Sequence, residues 1–218
     1  FYTPMIDEQF TTATPYADIF GDAPMVDLGL HLDYQIWQAV GSLAIGGTVG
    51  YGWVTGKSLA SDGTASTDDT TLHIIPLRLS LIYRFDFLAV HYGVPLVPYV
   101  KAGLSAAIWL VTDGLGDVAS AWGADQVADA GTMSAAEYAA QKPRDAAGVT
   151  WGYHLAAGLQ FLLDWAAPGM ATSFDEEIGV NNTYLFAEYM WSDINNFYNP
   201  GSINLRSHAF AAGLMFEF

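Results

Sequence analysis

Leu205-Arg206-Ser207-His208-Ala209-Phe210-Ala211-Ala212-Gly213-Leu214-Met215-Phe216-Glu217-Phe218 is the stretch that sets the architecture of this chain. Phe218, Phe216, Leu214, Ala212 and Phe210 fall on one face of an extended segment, and Glu217, Met215, Gly213, Ala211 and Ala209 on the other. Successive side chains of a strand point to opposite faces, so the spacing predicts a strand with one apolar face and one small or polar face. A soluble β-sandwich strand also alternates, but such a chain rarely stops on an aromatic residue with no polar tail after it. A barrel strand that is apolar toward lipid and polar toward a lumen has the same pattern.

Six further stretches repeat it. Residues 25–36 set Val26, Leu28, Leu30, Leu32, Tyr34 and Ile36 against Asp27, Gly29, His31, Asp33 and Gln35. Residues 42–54 set Leu43, Ile45, Val49, Tyr51 and Trp53 outward against Ser42, Ala44, Gly46, Thr48, Gly50 and Gly52, whose small size makes room for bulky neighbours in a narrow lumen. Residues 72–85 place Ile75, Leu77, Leu79, Leu81, Tyr83 and Phe85 outward with Arg78, Ser80 and Arg84 inward; Pro76 lacks a ladder donor and predicts a strand end, an edge or a bulge. In 96–110, Val100, Ala102, Leu104, Ala106 and Ile108 face out, and Tyr99, Lys101, Gly103, Ser105 and Ala107 face in. In 149–164, Trp151, Tyr153, Leu155, Ala157, Leu159, Phe161 and Leu163 oppose His154, Ala156, Gly158, Gln160 and Asp164. In 182–193, Leu185, Ala187, Tyr189 and Trp191 oppose Tyr184, Phe186, Glu188 and Met190.

Between these lie polar loops at 3–24, 55–71, 112–147 and 194–204, turns at 37–41 and 86–95, and a 165–181 turn with a short helix. The 112–147 connection is long enough to suggest a functional loop, and Ser134-Ala135-Ala136-Glu137 has capping-box spacing for a helix over 134–141.

Composition agrees with strands rather than helices in a membrane. The 218 residues are 52% hydrophobic and 14% aromatic, yet no apolar run approaches the roughly 18 residues a transmembrane helix requires. There is no Cys for disulfides or thiolate metal sites, and no n-region or h-region opens the chain. A formal charge of −16 repels a phosphate backbone, which excludes nucleic acid as a partner.

Seven strands are one short of an even-numbered closed barrel. The eighth is expected to precede the loop at 3–24 and run outward, so that the chain starts within or just after it, or residues 1–10 supply it in short form. With the last strand ending at the periplasm, the longer loops fall outside. Aromatic residues then collect at both strand ends: Tyr51, Trp53, Trp109, Trp151, Tyr153 and Trp191 at the outer rim, Trp37, Tyr83, Phe85, Phe161, Trp165, Phe216 and Phe218 at the inner one. Rings with an apolar body and a polar edge gather at the two membrane interfaces. The expected architecture is therefore one all-β domain spanning 1–218, a transmembrane antiparallel up-and-down β-barrel of about eight strands in the bacterial outer membrane. Arg in place of the outward Leu159 is expected to cost about 2–4 kcal/mol near the midplane.

The final strand is similar to the C-terminal signature of bacterial outer-membrane barrels, which closes the barrel and is read by the insertion machinery. Gly50-Tyr51-Gly52, Pro76-Leu77-Arg78-Leu79, Tyr83-Arg84-Phe85-Asp86, Pro95-Leu96-Val97-Pro98-Tyr99-Val100-Lys101-Ala102-Gly103-Leu104, Leu163-Asp164, Phe186-Ala187-Glu188-Tyr189 and Gly213-Leu214-Met215-Phe216-Glu217-Phe218 together resemble an outer-membrane β-barrel domain family of myxobacterial-type genomes, from about residue 40 onward. The resemblance implies a small eight-stranded barrel and carries no activity with it. The first strand is the departure and leaves closure open.

Motifs of catalysis are missing: there is no P-loop, GxSxG, HExxH or EF-hand loop, and His31, His73, His91, His154 and His208 share no metal-ligand spacing. His154 in the lumen or Ser207-His208 on the last strand could serve a rim-located enzyme, but a polar lumen or interface role is the simpler reading. No catalytic residue, cofactor or metal is expected. Inside, Asp27, Asp33, Arg78, Arg84, Lys101, His154, Asp164, Glu188 and Glu217 form a polar network whose charges should pair, with Arg78 the first candidate partner of Glu188 and Lys101 the second. The acidic loop residues Asp62, Asp68, Asp69, Asp113, Asp117, Asp125 and Asp129 could share Ca²⁺ or Mg²⁺ with anionic lipopolysaccharide, though a solvated acidic surface is simpler. Expected partners are outer-membrane lipids and lipopolysaccharide, the insertion machinery, and a protein at the outer loops. A structural or interaction module is favoured over a small solute channel or transporter, because side chains fill a barrel of this size.

Overall fold

A computed structural model describes residues 2–5, 19–20, 24–59, 65–121, 144–165, 179–199 and 203–218. In chain order these form β1 (Tyr2–Met5), β2 (Val26–Gln38), β3 (Ser42–Leu59), β4 (Ala65–Arg84), α1 (Phe87–Tyr92), β5 (Leu96–Asp113), β6 (Ser120–Ala121), β7 (Arg144–Asp145), β8 (Ala147–Leu162), β9 (Asn182–Ile194) and β10 (Arg206–Glu217). Seven long strands and the short β1 make one antiparallel up-and-down sheet in the order β1-β10-β9-β8-β5-β4-β3-β2, while β6 and β7 form a separate ribbon.

The sheet curls. Arg84 on β4 reaches Asp33 on β2 and Met215 on β10. Three strands separate β4 from β10, and in a flat sheet they would hold the two about 19 Å apart. No ladder joins β1 to β2 among the described residues, so the result is a curled half-barrel open along one side. Among the described residues the expected eighth strand is represented by Tyr2–Met5, antiparallel to β10 with Tyr2 opposite Ala209.

Alternation sorts the two faces. On the convex side Leu30 and Leu32 are 77% and 83% exposed, and Leu79, Leu104, Leu155, Leu185 and Leu214 are exposed as well. The concave side buries Ser80, Ile82, Tyr99, Ser105 and His154. At the end of the curl where β2 begins, Phe20 and Met25 pack inside with Val54, Leu72, Ile74, Ile194 and Leu205; toward the opposite end Ala44, Ile82 and Tyr99 cluster.

Several expectations are corrected. The polar stretch 55–71 is largely ladder: Thr55 pairs with Thr71 and Lys57 with Asp69, joined by a 2.9 Å hydroxyl contact and a 2.6 Å ion pair. Polar cross-strand pairs continue a hairpin as well as apolar ones do, so composition alone misplaced the loop. Pro76 is at neither an end nor an edge, and no bulge marks it. It sits within the central β4, and the register is the same on both sides, with Val49 opposite Leu77 and Gly52 opposite Ile74. The intervening residues have no partner on β3, which is where a missing N–H donor does least harm. The 86–95 turn contains α1, closed by Gly93 at φ 67°.

Trp109 does not join the outer aromatic band. It shares the inward parity of Tyr99 and Lys101, packs against the interior apolar cluster and donates its indole N–H to Thr150 Oγ1 at 3.1 Å. Gly148 opposite leaves its space, since a Cβ there would lie 2.8 Å from the indole. Of the other aromatics, Tyr51, Trp53, Trp151, Trp165, Phe216 and Phe218 are exposed, and Tyr83 and Trp191 half-buried, all on or beyond the convex face. Within the expected 112–147 connection, β5 runs on to Asp113, the chain then turns back so that Val118 and Ala119 meet Thr112 and Val111, and β6 pairs with β7. The expected helix at 134–141 lies outside the described residues.

Candidate functional site

The interior polar side chains are the candidate site, and strand parity brings them together. Arg78 and Arg84 project from β4, Lys101 from β5, Asp27, His31 and Asp33 from β2, His154 from β8 and Glu188 from β9. Arg84 Nη2 is 2.6 Å from Asp33 Oδ2, which also lies 3.2 Å from His31 Nε2, and His31 Nδ1 meets Thr48 Oγ1 at 2.7 Å. Arg78 faces Asp27 at 3.5 Å. Lys101 Nζ is 2.8 Å from Glu188 Oε2 and 5.1 Å above the Tyr99 ring, and the Tyr99 hydroxyl donates to the same carboxylate at 3.0 Å.

Glu188 therefore pairs with Lys101, not with Arg78. The reason is the strand order: β5 and β9 flank β8, whereas β4 lies one strand further away. Gly158 on β8 stands opposite both Tyr99 and Glu188 and leaves the gap through which they meet. A Cβ there would be 2.5 Å from Tyr99 Cζ and 2.6 Å from the Ala187 carbonyl oxygen, a backbone atom that cannot swing aside as a side-chain tip can. Gly158→Ala is expected to cost about 1–3 kcal/mol by overpacking. Thermal unfolding in detergent reads this; an unchanged midpoint would mean that the Tyr99–Glu188 contact does not depend on the gap.

His154, 2% exposed, is held from both sides, its Nε2 by Ser80 Oγ and its Nδ1 by Ser105 Oγ, each at 2.9 Å. The two serines thus occupy both nitrogens of the single imidazole. His73 and His208 lie instead among ring partners, hydrogen-bonded to Tyr51 and Tyr189.

Two expected members of the network sit apart from its cations. Asp164 accepts from the Thr183 backbone N–H at 3.3 Å, and Glu217 from Asn182 Nδ2 at 2.9 Å and the Tyr184 hydroxyl at 3.3 Å. Asp164 lies two residues past the end of β8 and Glu217 is the last residue of β10, where Asn182, Thr183 and Tyr184 of β9 supply the donors. Among the acidic loop residues, Asp69 pairs with Lys57, and Asp113 Oδ1 accepts from the N–H groups of Leu115 and Asp117 at 3.0 Å, closing its own turn. Asp62, Asp125 and Asp129 lie outside the described residues.

One cluster escaped the sequence reading. Asp193, at the end of β9 with outward parity, is nonetheless 0% exposed. It takes Arg206 Nη2 at 3.1 Å and Nε at 3.3 Å, the Tyr198 and Tyr153 hydroxyls at 2.8 and 3.2 Å, and Asn195 Nδ2 at 3.0 Å. The chain folds back over it through Asn196, Phe197 and Tyr198, all left-handed with φ of 56°, 55° and 63°. Only the Asn195-Asn196 pair hinted at that turn.

Fold and site together define an all-β, up-and-down β-barrel-like protein with a charged, ion-paired interior. Comparison with models of known protein families finds no match, and comparison with curated proteins finds none either.

Proposed function

We propose that this chain is a bacterial outer-membrane β-barrel that acts as a non-enzymatic structural or interaction module, its wall in contact with lipid and its outer loops with lipopolysaccharide or a protein partner. The convex face carries this reading. It exposes a continuous apolar belt running from Leu28 and Leu30 on β2 through Leu79, Leu104, Leu155 and Leu185 to Leu214 on β10. Water-soluble monomers rarely expose apolar patches beyond a few hundred Å².

Aromatic bands bound the belt. Trp53 stands about ten residues from Leu43, the partner of Trp37, and Trp151 about ten from Phe161. At roughly 3.3 Å per residue and a tilt near 40°, that spacing is about 25 Å along the membrane normal, the height of an outer-membrane barrel's apolar band. The helix α1, with Leu88, Val90 and Tyr92 exposed, lies at the inner rim, where an interfacial position would cover it. No helix among the described residues is long and apolar enough to cross a membrane, which leaves the strands to do so. The resemblance to myxobacterial-type barrel domains and the insertion signal of the last strand belong to the same proposal.

The interior supports a module more than a channel, because its charges are paired, Lys101 with Glu188, Arg84 with Asp33 and Arg78 with Asp27. Purified protein in a planar bilayer should then show no steady conductance.

The deciding experiment compares two outward leucines on β8. Leu155 and Leu159 are each 51% exposed, but Leu155 is midway between Trp151 and Phe161, whereas Leu159 is only two residues from Phe161, nearer the inner band than the midplane position expected for it. Leu155→Arg is expected to cost about 2–4 kcal/mol and Leu159→Arg about 1 kcal/mol or less, because the lipid penalty falls toward the interface. Unfolding in lipid vesicles measures both. Equal, small costs would mean water on that face and would overturn the membrane assignment.

A further inference from the structure

Arg206 is placed unlike the other cations of the chain. Among the described side chains, Arg78, Arg84 and Lys101 turn inward, and Lys57 pairs with Asp69 on the outer hairpin beyond Trp53. Arg206 has the parity of His208 and Phe210, opposite to that of the buried Ser207 and Ala209, and so belongs to the convex face at the outer end of β10. The ladder pairs Ser207 with Ser192, which brings Arg206 level with Asp193, and Asp193 is opposite Tyr153 on β8. The turn after β9 returns to the same level, where the Asn196 N–H donates to the Trp151 carbonyl at 2.7 Å. This cation therefore stands within the outer aromatic band.

Its guanidinium is fixed from one side. Nε and Nη2 bond Asp193 at 3.3 and 3.1 Å, and that carboxylate is fully buried. A guanidinium is a flat fork, so holding the edge formed by Nε and Nη2 against a buried partner directs Nη1 the other way. The Arg206 side chain is 34% exposed and that of Asp193 1%, so what the pair shows to its surroundings is the cation.

Two rings stand beside it. Phe197 and Tyr198 are 58% and 59% exposed, although the backbone at both is left-handed, a conformation that costs free energy for any residue with a side chain. Strain of that kind persists where the surroundings impose it and often marks a binding element. Here the run buries neither ring; it sets both at the rim, while the Tyr198 hydroxyl donates to the same carboxylate that holds Arg206. A pinned cation and two pre-placed rings lose little freedom when a ligand arrives.

We propose that Arg206, held by Asp193 and flanked by Phe197 and Tyr198, binds the phosphate of a lipid headgroup in the outer leaflet, with the acyl chains lying along the convex face; this rests on the membrane reading above. A fixed guanidinium suits a phosphate, which takes two N–H groups at once. The formal charge of −16 opposes a soluble anion. A phosphate carried on acyl chains is instead brought to Arg206 by the apolar belt, which those chains cover, and headgroups lie at the level of the aromatic band.

Native mass spectrometry of the full chain released from maltoside micelles, which contain no phosphate, tests this with dioleoyl phosphatidic acid as the probe and dioleoylglycerol, identical in its chains, as the comparison. Phosphatidic acid should be retained about ten-fold more tightly than dioleoylglycerol, and Arg206→Gln should remove most of that difference. Phe197→Ser, which leaves the pair of Arg206 and Asp193 in place, should weaken retention about three-fold. Equal retention of the two lipids, or a preference that Arg206→Gln leaves intact, would overturn the proposal. Displacement of the lipid by inorganic phosphate at the same concentration would also overturn it, by showing a site for soluble anions. If Arg206→Gln loosens the turn, seen as faster amide exchange over residues 195–199, Phe197→Ser decides, and unchanged retention in that variant overturns the proposal. The Leu155 and Leu159 comparison reads unfolding rather than lipid retention, so loss of the membrane reading and loss of the headgroup site are separate results.

Discussion

Glu188→Gln is expected to lower the unfolding free energy by about 3 kcal/mol, because removing one member of a buried ion pair leaves the other charge uncompensated. The Glu188 side chain is 9% exposed and that of Lys101 14%, so little water reaches either. Gln keeps an acceptor for the Tyr99 hydroxyl but offers no charge to Lys101. Lys101→Met in the same background should then recover part of the loss, leaving a coupling of about 1–3 kcal/mol. The matching cycle of Glu188 with Arg78 should be additive, since Arg78 faces Asp27 instead. Denaturant unfolding of the single and double variants in detergent measures both cycles. Additivity in the Lys101 cycle as well would remove the lumen pair from the account and reopen a water-filled interior.

Asp193→Ala is expected to cost about 3–5 kcal/mol, from the loss of a fully buried carboxylate that pairs with Arg206 and accepts from neutral donors. The loss is not confined to the carboxylate. Tyr198, tied to it at 2.8 Å, is the last of three consecutive left-handed residues, a conformation that disfavours side chains by about 1–2 kcal/mol each. Without Asp193 the turn is expected to relax, and amides of residues 195–199 should exchange at least ten-fold faster than in the parent. Asp193→Asn should cost less, because the half-buried Arg206 can rehydrate and the amide oxygen still accepts from one phenol. A turn that keeps its protection in Asp193→Ala would mean that local sequence, rather than this carboxylate, holds the left-handed run.

The amount legible in the sequence followed from the range of the interactions involved. Period-two alternation is local, so the seven long strands, their two faces and the inward placing of Arg78, Arg84, Lys101, Asp27, Asp33, His154 and Glu188 could be read from residue spacing alone. Where polarity replaced apolar alternation the reading fell short: Thr55, Lys57, Asp69 and Thr71 looked like loop because their ladder is held by polar pairs. Trp109 was assigned by its nearness to a strand end, although the parity of its own strand already pointed it inward.

Which charge meets which is a different kind of question. By itself the sequence determined that three cations and several carboxylates share one interior; only the curl of the sheet decided that Lys101 takes Glu188, Arg84 takes Asp33 and Arg78 takes Asp27. Parity states a face, but partners on strands that are not neighbours depend on curvature and on the glycine gaps between them, as at Gly158. Asp193 shows the same limit from the other side: its outward parity is a local fact, while its burial arises from a turn that folds back over it and from Arg206 on the next strand.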